Sequence, residues 1–231
     1  MTTVVISGAN RGLGLALAAH YANGGFDVVA GCRNPGAADA LQATNAEVHP
    51  LDMSSDASIA AFAAVVGDRP VDLLINNAGI DAKALGADDA RRGALDITAE
   101  QFRGVFDVNV VGPLLLVQQL AANLRAAHGK VANVSSQVGS FVVAQRIGRD
   151  VAYTASKAAL NMVTVKQSQV LRADGVTVIC LHPGWVRSDM GGKGADLEPA
   201  EAAAGIARVL DTVTIDDTGS FFNWDGTVHP W

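Results

Sequence analysis

Tyr153 and Lys157 stand four residues apart in Tyr153-Thr154-Ala155-Ser156-Lys157. Residues 158–163 continue without Pro or Gly and read as helix, so the two side chains share one helix face. An ammonium is thereby set beside a phenol. A free tyrosine has a pKa of ~10, too high for proton transfer near neutrality, and a neighbouring cation that favours the phenolate lowers it. A drop of ~3 units needs about 4 kcal/mol. One partly exposed lysine does not supply all of that, so a cofactor cation or a helix N-terminus would have to add to it. The chemistry on offer is general acid–base catalysis by a phenol. The competing reading is a chance pair on a solvated helix face, and the amino-terminal end of the chain argues against it.

There, residues 2–7 are short, β-branched and apolar and read as a buried strand. Gly8-Ala9-Asn10-Arg11-Gly12-Leu13-Gly14 follows at once, and residues 15–23 have helical character up to Gly24-Gly25. A strand, a Gly-rich turn and a helix begin a dinucleotide-binding unit. Glycines let the backbone approach a pyrophosphate, and the helix N-terminus offers it free N–H groups and a positive dipole end. The spacing is Gly-x-x-x-Gly-x-Gly, and a structural turn shares it; the position between first strand and first helix favours the phosphate role.

The elements that must position these groups alternate. Strands are expected at 26–33, 47–52, 71–76, 130–135, 175–181 and 219–222. Helices are expected at 35–43, 55–66 (capped by Ser54 or Ser55), 99–127, from Tyr153 to about 172, and 199–210. Thr98-x-x-Gln101 has the form of a capping box, and Pro113 should kink the long helix. Residues 136–150 read as loop, 191–194 as a mobile Gly-rich segment, and 223–231 as a tail. Apolar strands alternating with helices predict a single α/β domain over 1–231, a doubly wound, seven-stranded parallel sheet with helices on both faces.

Composition narrows the function. The 231 residues are 49% hydrophobic and 17% charged, with net charge −6, which suits a globular domain and lacks the basic block that a nucleic-acid groove needs. Cys32 and Cys180 are scattered, and His49, His182 and His229 have no metal-ligand spacing, so neither a disulfide framework nor a metal is expected. Strand-like residues begin at Thr3 rather than a leader, and no apolar run is long enough to span a bilayer. The expectation is a soluble cytoplasmic protein.

Together the motifs resemble the short-chain dehydrogenase/reductase family, in its NADPH-dependent carbonyl-reductase-like branch, over nearly the whole chain. Ser7-Gly8-x-x-x-Gly12-x-Gly14 is similar to its cofactor loop, with Ser for the usual Thr. Asn76-Asn77-Ala78-Gly79 matches its turn after the fourth strand, Asn109, Ser136, Tyr153 and Lys157 match its catalytic tetrad, and Pro183-Gly184-Trp185-Val186-Arg187-Ser188 resembles its motif after the sixth strand. Phe221-Phe222-Asn223-Trp224-Asp225-Gly226, with Asn10-Arg11, looks like the subgroup related to bacterial C-factor and sniffer-type carbonyl reductases.

The resemblance implies a Rossmann-type fold and a hydride exchange between NADPH/NADP+ and a ketone or aldehyde. Tyr153 would be the proton donor, and Ser136 would hydrogen-bond the carbonyl oxygen and share the developing oxyanion. Lys157 would lower the Tyr153 pKa and bind the nicotinamide ribose, and Asn109 would hold a water that resupplies protons. Asn109 also reads as an amide bonding backbone freed near Pro113, and Ser135 rivals Ser136. Ser136 and Tyr153 stand a few residues further apart than is usual in the family, and the extra residues fall in the loop.

Cofactor contacts are implied at Gly8, Asn10, Arg11, Gly12, Leu13, Gly14, Asn77, Ala78, Gly79, Pro183, Gly184 and Val186. Asp52 and Met53 would meet the adenine, and Ser188 the carboxamide. Arg33 ends the second strand, where an acidic residue would bond a ribose 2′-OH and arginine accepts a 2′-phosphate. With Arg11 it favours NADPH over NADH; a plain surface arginine is the alternative. Arg146 and Arg149 would attract an anionic substrate or be solvated loop charges. Trp185 would line the pocket, while Trp224 and Trp231 read as packing or interface residues. The alternatives are an alcohol dehydrogenase working oxidatively, or a non-catalytic NADP-binding signalling protein. The helices near Ala99 and Val151, carrying Leu114, Leu115, Leu116, Val163 and Val165, would pair across a two-fold axis into a homodimer or homotetramer.

Overall fold

The computed structural model describes residues 2–145 and 150–231; Arg146 and Arg149 lie outside the described residues. Seven parallel strands form one sheet in the order β3-β2-β1-β4-β5-β6-β7. They are β1 (Thr3–Ser7), β2 (Asp27–Cys32), β3 (Glu47–Pro50), β4 (Leu73–Asn76), β5 (Lys130–Val134), β6 (Thr177–His182) and β7 (Phe221–Asn223). The middle strands are apolar at consecutive positions because both faces are covered: Val4, Val5 and Ile6 are all fully buried. β1 pairs with β2 on one side (Val5 opposite Val29) and with β4 on the other (Val5 opposite Leu74). The order of strands reverses at β1, so a crevice opens beyond its carboxyl end, where β1 and β4 deliver their loops.

The helices are α1 (Gly12–Asn23), α2 (Asp39–Gln42), α3 (Asp56–Val66), α4 (Ala99–Phe106), α5 (Gly112–Gln119), α6 (Ala121–Ala127), α7 (Phe141–Ala144), α8 (Val151–Leu171) and α9 (Pro199–Thr212). α1 and α9 pack on each other and cover one face, with Leu17, Ala18, Ile206 and Leu210 in that core. α3, α5, α6 and the end of α8 cover the other, around Phe62, Leu116, Leu124 and Leu171. Among the described residues no single helix is long and apolar enough to cross a membrane.

Several expectations hold in detail. Ser55 caps α3 through the Ser58 N–H, and Thr98 and Gln101 form a reciprocal capping box on α4. Three differ. Residues 35–43 are a 3-10 turn (Pro35–Ala37) and the single turn α2, because Ala38 leaves helical backbone geometry between them. The 136–150 loop contains a 3-10 turn (Gln137–Gly139) and α7, each started by a serine side chain that accepts a backbone N–H. The 99–127 helix is not one kinked rod. It passes through a π segment (Asp107–Val111) just before Pro113, and the sharp bend, 60°, falls later, between Gln119 and Ala121. The π register leaves Pro113, which has no N–H to give, at the start of a fresh α-helix, where it is tolerated.

Candidate active site

A cleft of about 970 Å³ lies at the carboxyl ends of the strands. Its floor is the Gly-rich turn. Gly8 has φ +67°, and a Cβ there would stand 2.7 Å from Ala78 Cα; a Cβ on Gly14 would stand 2.1 Å from the Gly8 carbonyl oxygen. Only glycine allows the loops after β1 and β4 to close on each other and on α1 this tightly. Ser7 welds the contact: its hydroxyl accepts the N–H groups of Asn77 and Ala78, both at 3.1 Å, while the Asn77 amide donates to the Ser7 and Gly8 carbonyls. Ser therefore does here what the expected Thr hydroxyl would do.

α1 begins without a cap. Arg11 at its N-cap lends no side-chain acceptor, and the first turn carries no carboxylate, whereas α3, α4 and α8 are each capped by a side-chain oxygen. Among the described residues no hydrogen-bond partner is seen for the N–H groups of Gly12, Leu13 and Gly14, and the three residues line the cleft as a candidate anion cradle. Asn10, Arg33, Asp52, Met53, Gly79, Pro183, Gly184, Val186 and Ser188 also line it. Asp52 is held below the usual carboxylate range, chiefly by hydrogen bonds from Ser54, with a smaller contribution from the Arg33 charge. Arg11 reaches across the cleft to Asp189, 2.6 Å away and largely exposed.

The catalytic candidates meet at the far end. The side chain of Asp150 caps α8 by accepting the N–H of Tyr153, at 3.1 Å, and its second oxygen accepts the N–H of Ala82. Tyr153 lines the cleft together with Ser136, which leaves β5 in extended conformation and whose hydroxyl accepts the Val138 N–H. Ser135 is otherwise engaged: its hydroxyl donates to Asn161, at 2.5 Å, in the buried layer under α8. The geometry thus separates the two serines. Asn109 is fully buried. Its amide donates to the Ile80 carbonyl and to Ser156, its oxygen accepts the Ile80 N–H, and Ser156 in turn bonds the Tyr153 carbonyl. It joins the turn after β4 to the catalytic helix and does not itself line the cleft.

Electrostatics correct one expectation. Lys157 is 3% exposed rather than partly solvated. Its ammonium donates to the Val134 carbonyl at 2.8 Å and stands 5.6 Å from the Tyr153 ring centre. Burial pulls Lys157 down to about 8. Tyr153 is pushed up to about 12: burial is the largest cause, Asp81 and Asp150 add to it, and the Ser136 hydrogen bond opposes it. In the protein alone the phenol is therefore held protonated, and the lysine does not depress it.

Asp150 and Asp81 are contributors the sequence reading missed. An Asp three residues before Tyr153 is an N-cap signature and was visible. Asp81 enters only through the fold, with Arg92 bridging it (3.0 Å) to Asp150 (3.5 Å).

The family model for short chain dehydrogenases matches residues 2–198. The chain is 40% identical over 174 residues to the C-signal protein of Myxococcus xanthus, covering 74% of this chain and 99% of that protein. It is 33% identical to 1-hydroxy-2-glutathionyl-2-methyl-3-butene dehydrogenase of Rhodococcus sp. (strain AD45) across the full length of both. The crystal structure of NADPH-bound carbonyl reductase from chicken fatty liver superimposes with a TM-score of 0.91 at 34% identity, covering 100% of this chain and 99% of that one. The cleft, its glycine floor and the Ser136–Tyr153–Lys157 cluster are thus those of a chain that belongs to the short chain dehydrogenase family.

Proposed function

We propose that the protein is an NADPH-dependent reductase of ketones or aldehydes. The observation that carries this reading is the meeting of Ser136, Tyr153 and Lys157 along one wall of the cleft, with the Lys157 ammonium 5.6 Å from the Tyr153 ring centre. The residues present suit the cofactor: the uncapped N-terminus of α1 offers N–H groups to a pyrophosphate, and Arg33 and Arg11 offer guanidinium groups to a 2′-phosphate. The likeness to an NADPH-bound carbonyl reductase supports the same choice. When bound, NADPH supplies the hydride. The chain supplies the rest. Ser136 Oγ and Tyr153 Oη hold the carbonyl oxygen and stabilise the negative charge that grows on it, and Tyr153 Oη gives it a proton. Lys157 holds the ribose side of the cleft. Asn109 keeps the turn at Ile80 fixed; the water-holding role expected of it does not fit, because its amide and oxygen are taken up by Ile80 and Ser156. Cys32 and Cys180, both free and buried, suit a reducing cytosol.

The state of Tyr153 also favours reduction over oxidation near neutrality, since oxidation needs the phenolate as base. At saturating cofactor, alcohol oxidation should rise roughly tenfold per pH unit between about pH 6 and 8. Carbonyl reduction, which uses the protonated phenol, should stay level over the same range. Parallel profiles in the two directions would refute the assignment. A non-catalytic role, as the C-signal likeness allows, gives no reason for Ser136, Tyr153 and Lys157 to meet in one cleft. NADPH consumption with a panel of ketones and aldehydes separates the two readings: no turnover with any of them would favour binding alone. Of the segments expected to select the substrate, 81–96, 139–150 and 189–197, Leu85, Asp189, Met190 and Gly191 line the cleft, and residues 146–149 lie outside the described residues.

We also propose a homodimer or homotetramer built on α5 and α8. Between these helices runs a groove lined by Leu114, Val117, Met162, Val163 and Val170, and Met162 and Val170 are 58% and 68% exposed. Leu116 was expected on this surface but is buried in the core, because it lies on the opposite side of α5. Light scattering at micromolar concentration should give at least twice the chain mass, and Val163→Glu should halve it. A monomeric parent protein would overturn this.

A further inference from the structure

Residues 221–231 fold into a hairpin on the edge of the sheet. After β7 the chain turns at Asp225, whose carboxylate accepts the Thr227 N–H and hydroxyl. It returns antiparallel, with Phe222 opposite Val228 and the His229 N–H donating to the Phe221 carbonyl at 2.7 Å. The returning limb stays bound to the body of the domain. The His229 ring is buried, 4.4 Å from the Phe221 ring and 5.6 Å from that of His182. The main-chain oxygen of Trp231 accepts the hydroxyl of Ser140, a fully buried residue, at 3.0 Å.

Both contacts lead to the turn that carries Ser136. His182 Nδ1 accepts the N–H of Gln137, the residue after Ser136, at 3.3 Å. Ser140 closes the same turn and starts α7 by accepting the Val143 N–H. The turn is therefore gripped near both ends, at Gln137 through His182 and at Ser140 through Trp231. Its middle is pinned separately on α8, where the Asn161 amide donates to the Gly139 carbonyl. Accepting the Gln137 N–H requires a bare Nδ1, which only the neutral imidazole has. Burial, then the His229 charge, hold His182 down to about 4, with Asp225 opposing.

Resting on the reductase reading, we propose that the 221–231 hairpin is a strap that positions Ser136 against Tyr153, with His182, His229 and the Ser140–Trp231 bond as its fastenings. These are positioning residues, since none needs to touch substrate. A misplacement of about 1 Å in a group that stabilises the reacting oxygen costs on the order of a hundredfold in rate.

The test compares the parent chain with a chain lacking residues 229–231, with Ser140→Ala and with His229→Phe, the last keeping a ring in the packed site. Reductive kcat, NADPH affinity by fluorescence and melting temperature are read for each. The truncated chain should lose roughly ten- to a hundredfold in kcat while its NADPH Kd stays within about threefold. In a Ser136→Ala background the same truncation should cost little more, because the strap acts through that hydroxyl. Equal losses in the two backgrounds, or an unchanged kcat, would overturn the proposal. Hydrogen exchange supplies a readout free of activity: the amides of Gln137 and Gly139 should exchange at least about tenfold faster once the strap is cut, and unchanged exchange would also sink it. Absence of turnover in the parent chain would count against the reductase reading, and the exchange result would still decide the strap.

Discussion

Tyr153→Phe should lower carbonyl reduction by about a hundredfold or more while leaving NADPH affinity within a factor of about three. The ring and its packing remain, and Lys157 keeps its bond to the Val134 carbonyl, because that contact does not involve the phenol. What is removed is the proposed proton donor, and general acid catalysis contributes on the order of 10²–10⁴-fold. Ser136→Ala should cost less, since Tyr153 can still polarise the carbonyl. The measurement is kcat and kcat/KM for reduction beside a fluorescence titration with NADPH. Turnover within tenfold of the parent chain would remove Tyr153 from the acid role; lost NADPH binding would mean that the substitution had disturbed the cleft instead.

Arg33→Asp should reverse the preference between cofactors. Arg33 is exposed at the end of β2 and lines the cleft beside Asp52. A 2′-phosphate accepts a guanidinium bidentately, and each charge-assisted bond contributes roughly 1.5–3 kcal/mol before solvent screening. The parent chain should therefore favour NADPH over NADH by about a hundredfold in kcat/KM, a ratio worth about 2.7 kcal/mol. A carboxylate at position 33 repels the phosphate and accepts the free 2′-OH of NADH. Arg11 contributes less than its place in the loop suggested, because its guanidinium is paired with Asp189. Exposed pairs of this kind contribute at most about 1 kcal/mol, so the phosphate can compete for it, and Asp189→Asn should strengthen NADPH preference slightly. An NADH-preferring parent chain, or a ratio unmoved by Arg33→Asp, would show that another group sets the choice.

Much of this was legible in the linear chain because its causes are local. Val4, Val5 and Ile6 followed by Gly8-x-x-x-Gly12-x-Gly14 declare a buried strand, a tight turn and a phosphate-binding helix start within a dozen residues. Seven strand segments, most of them apolar runs, separated by helices dictate a parallel sheet, since each crossover must be covered on one face or the other. Tyr153 and Lys157 share a face by helical spacing alone, and the sheet does bring Ser136 to them.

Only the tertiary structure decided what depends on groups far apart in sequence. Whether Lys157 could depress Tyr153 turned on its solvation, and the packing of α8 against β5 buried the ammonium and gave it to the Val134 carbonyl. Between Ser135 and Ser136 the fold adds a distinction: Asn161 accepts the Ser135 hydroxyl in a buried layer, and Ser136 lines the cleft. Arg11 was diverted by Asp189, on the loop after β6. The tail at 223–231 carried no periodic signal, and its meaning lies in contacts made across the sheet with His182 and Ser140. Spacing reports which side chains share an element. It does not report which carbonyl, carboxylate or ring meets them on folding, and burial and charge at this site are set by those meetings.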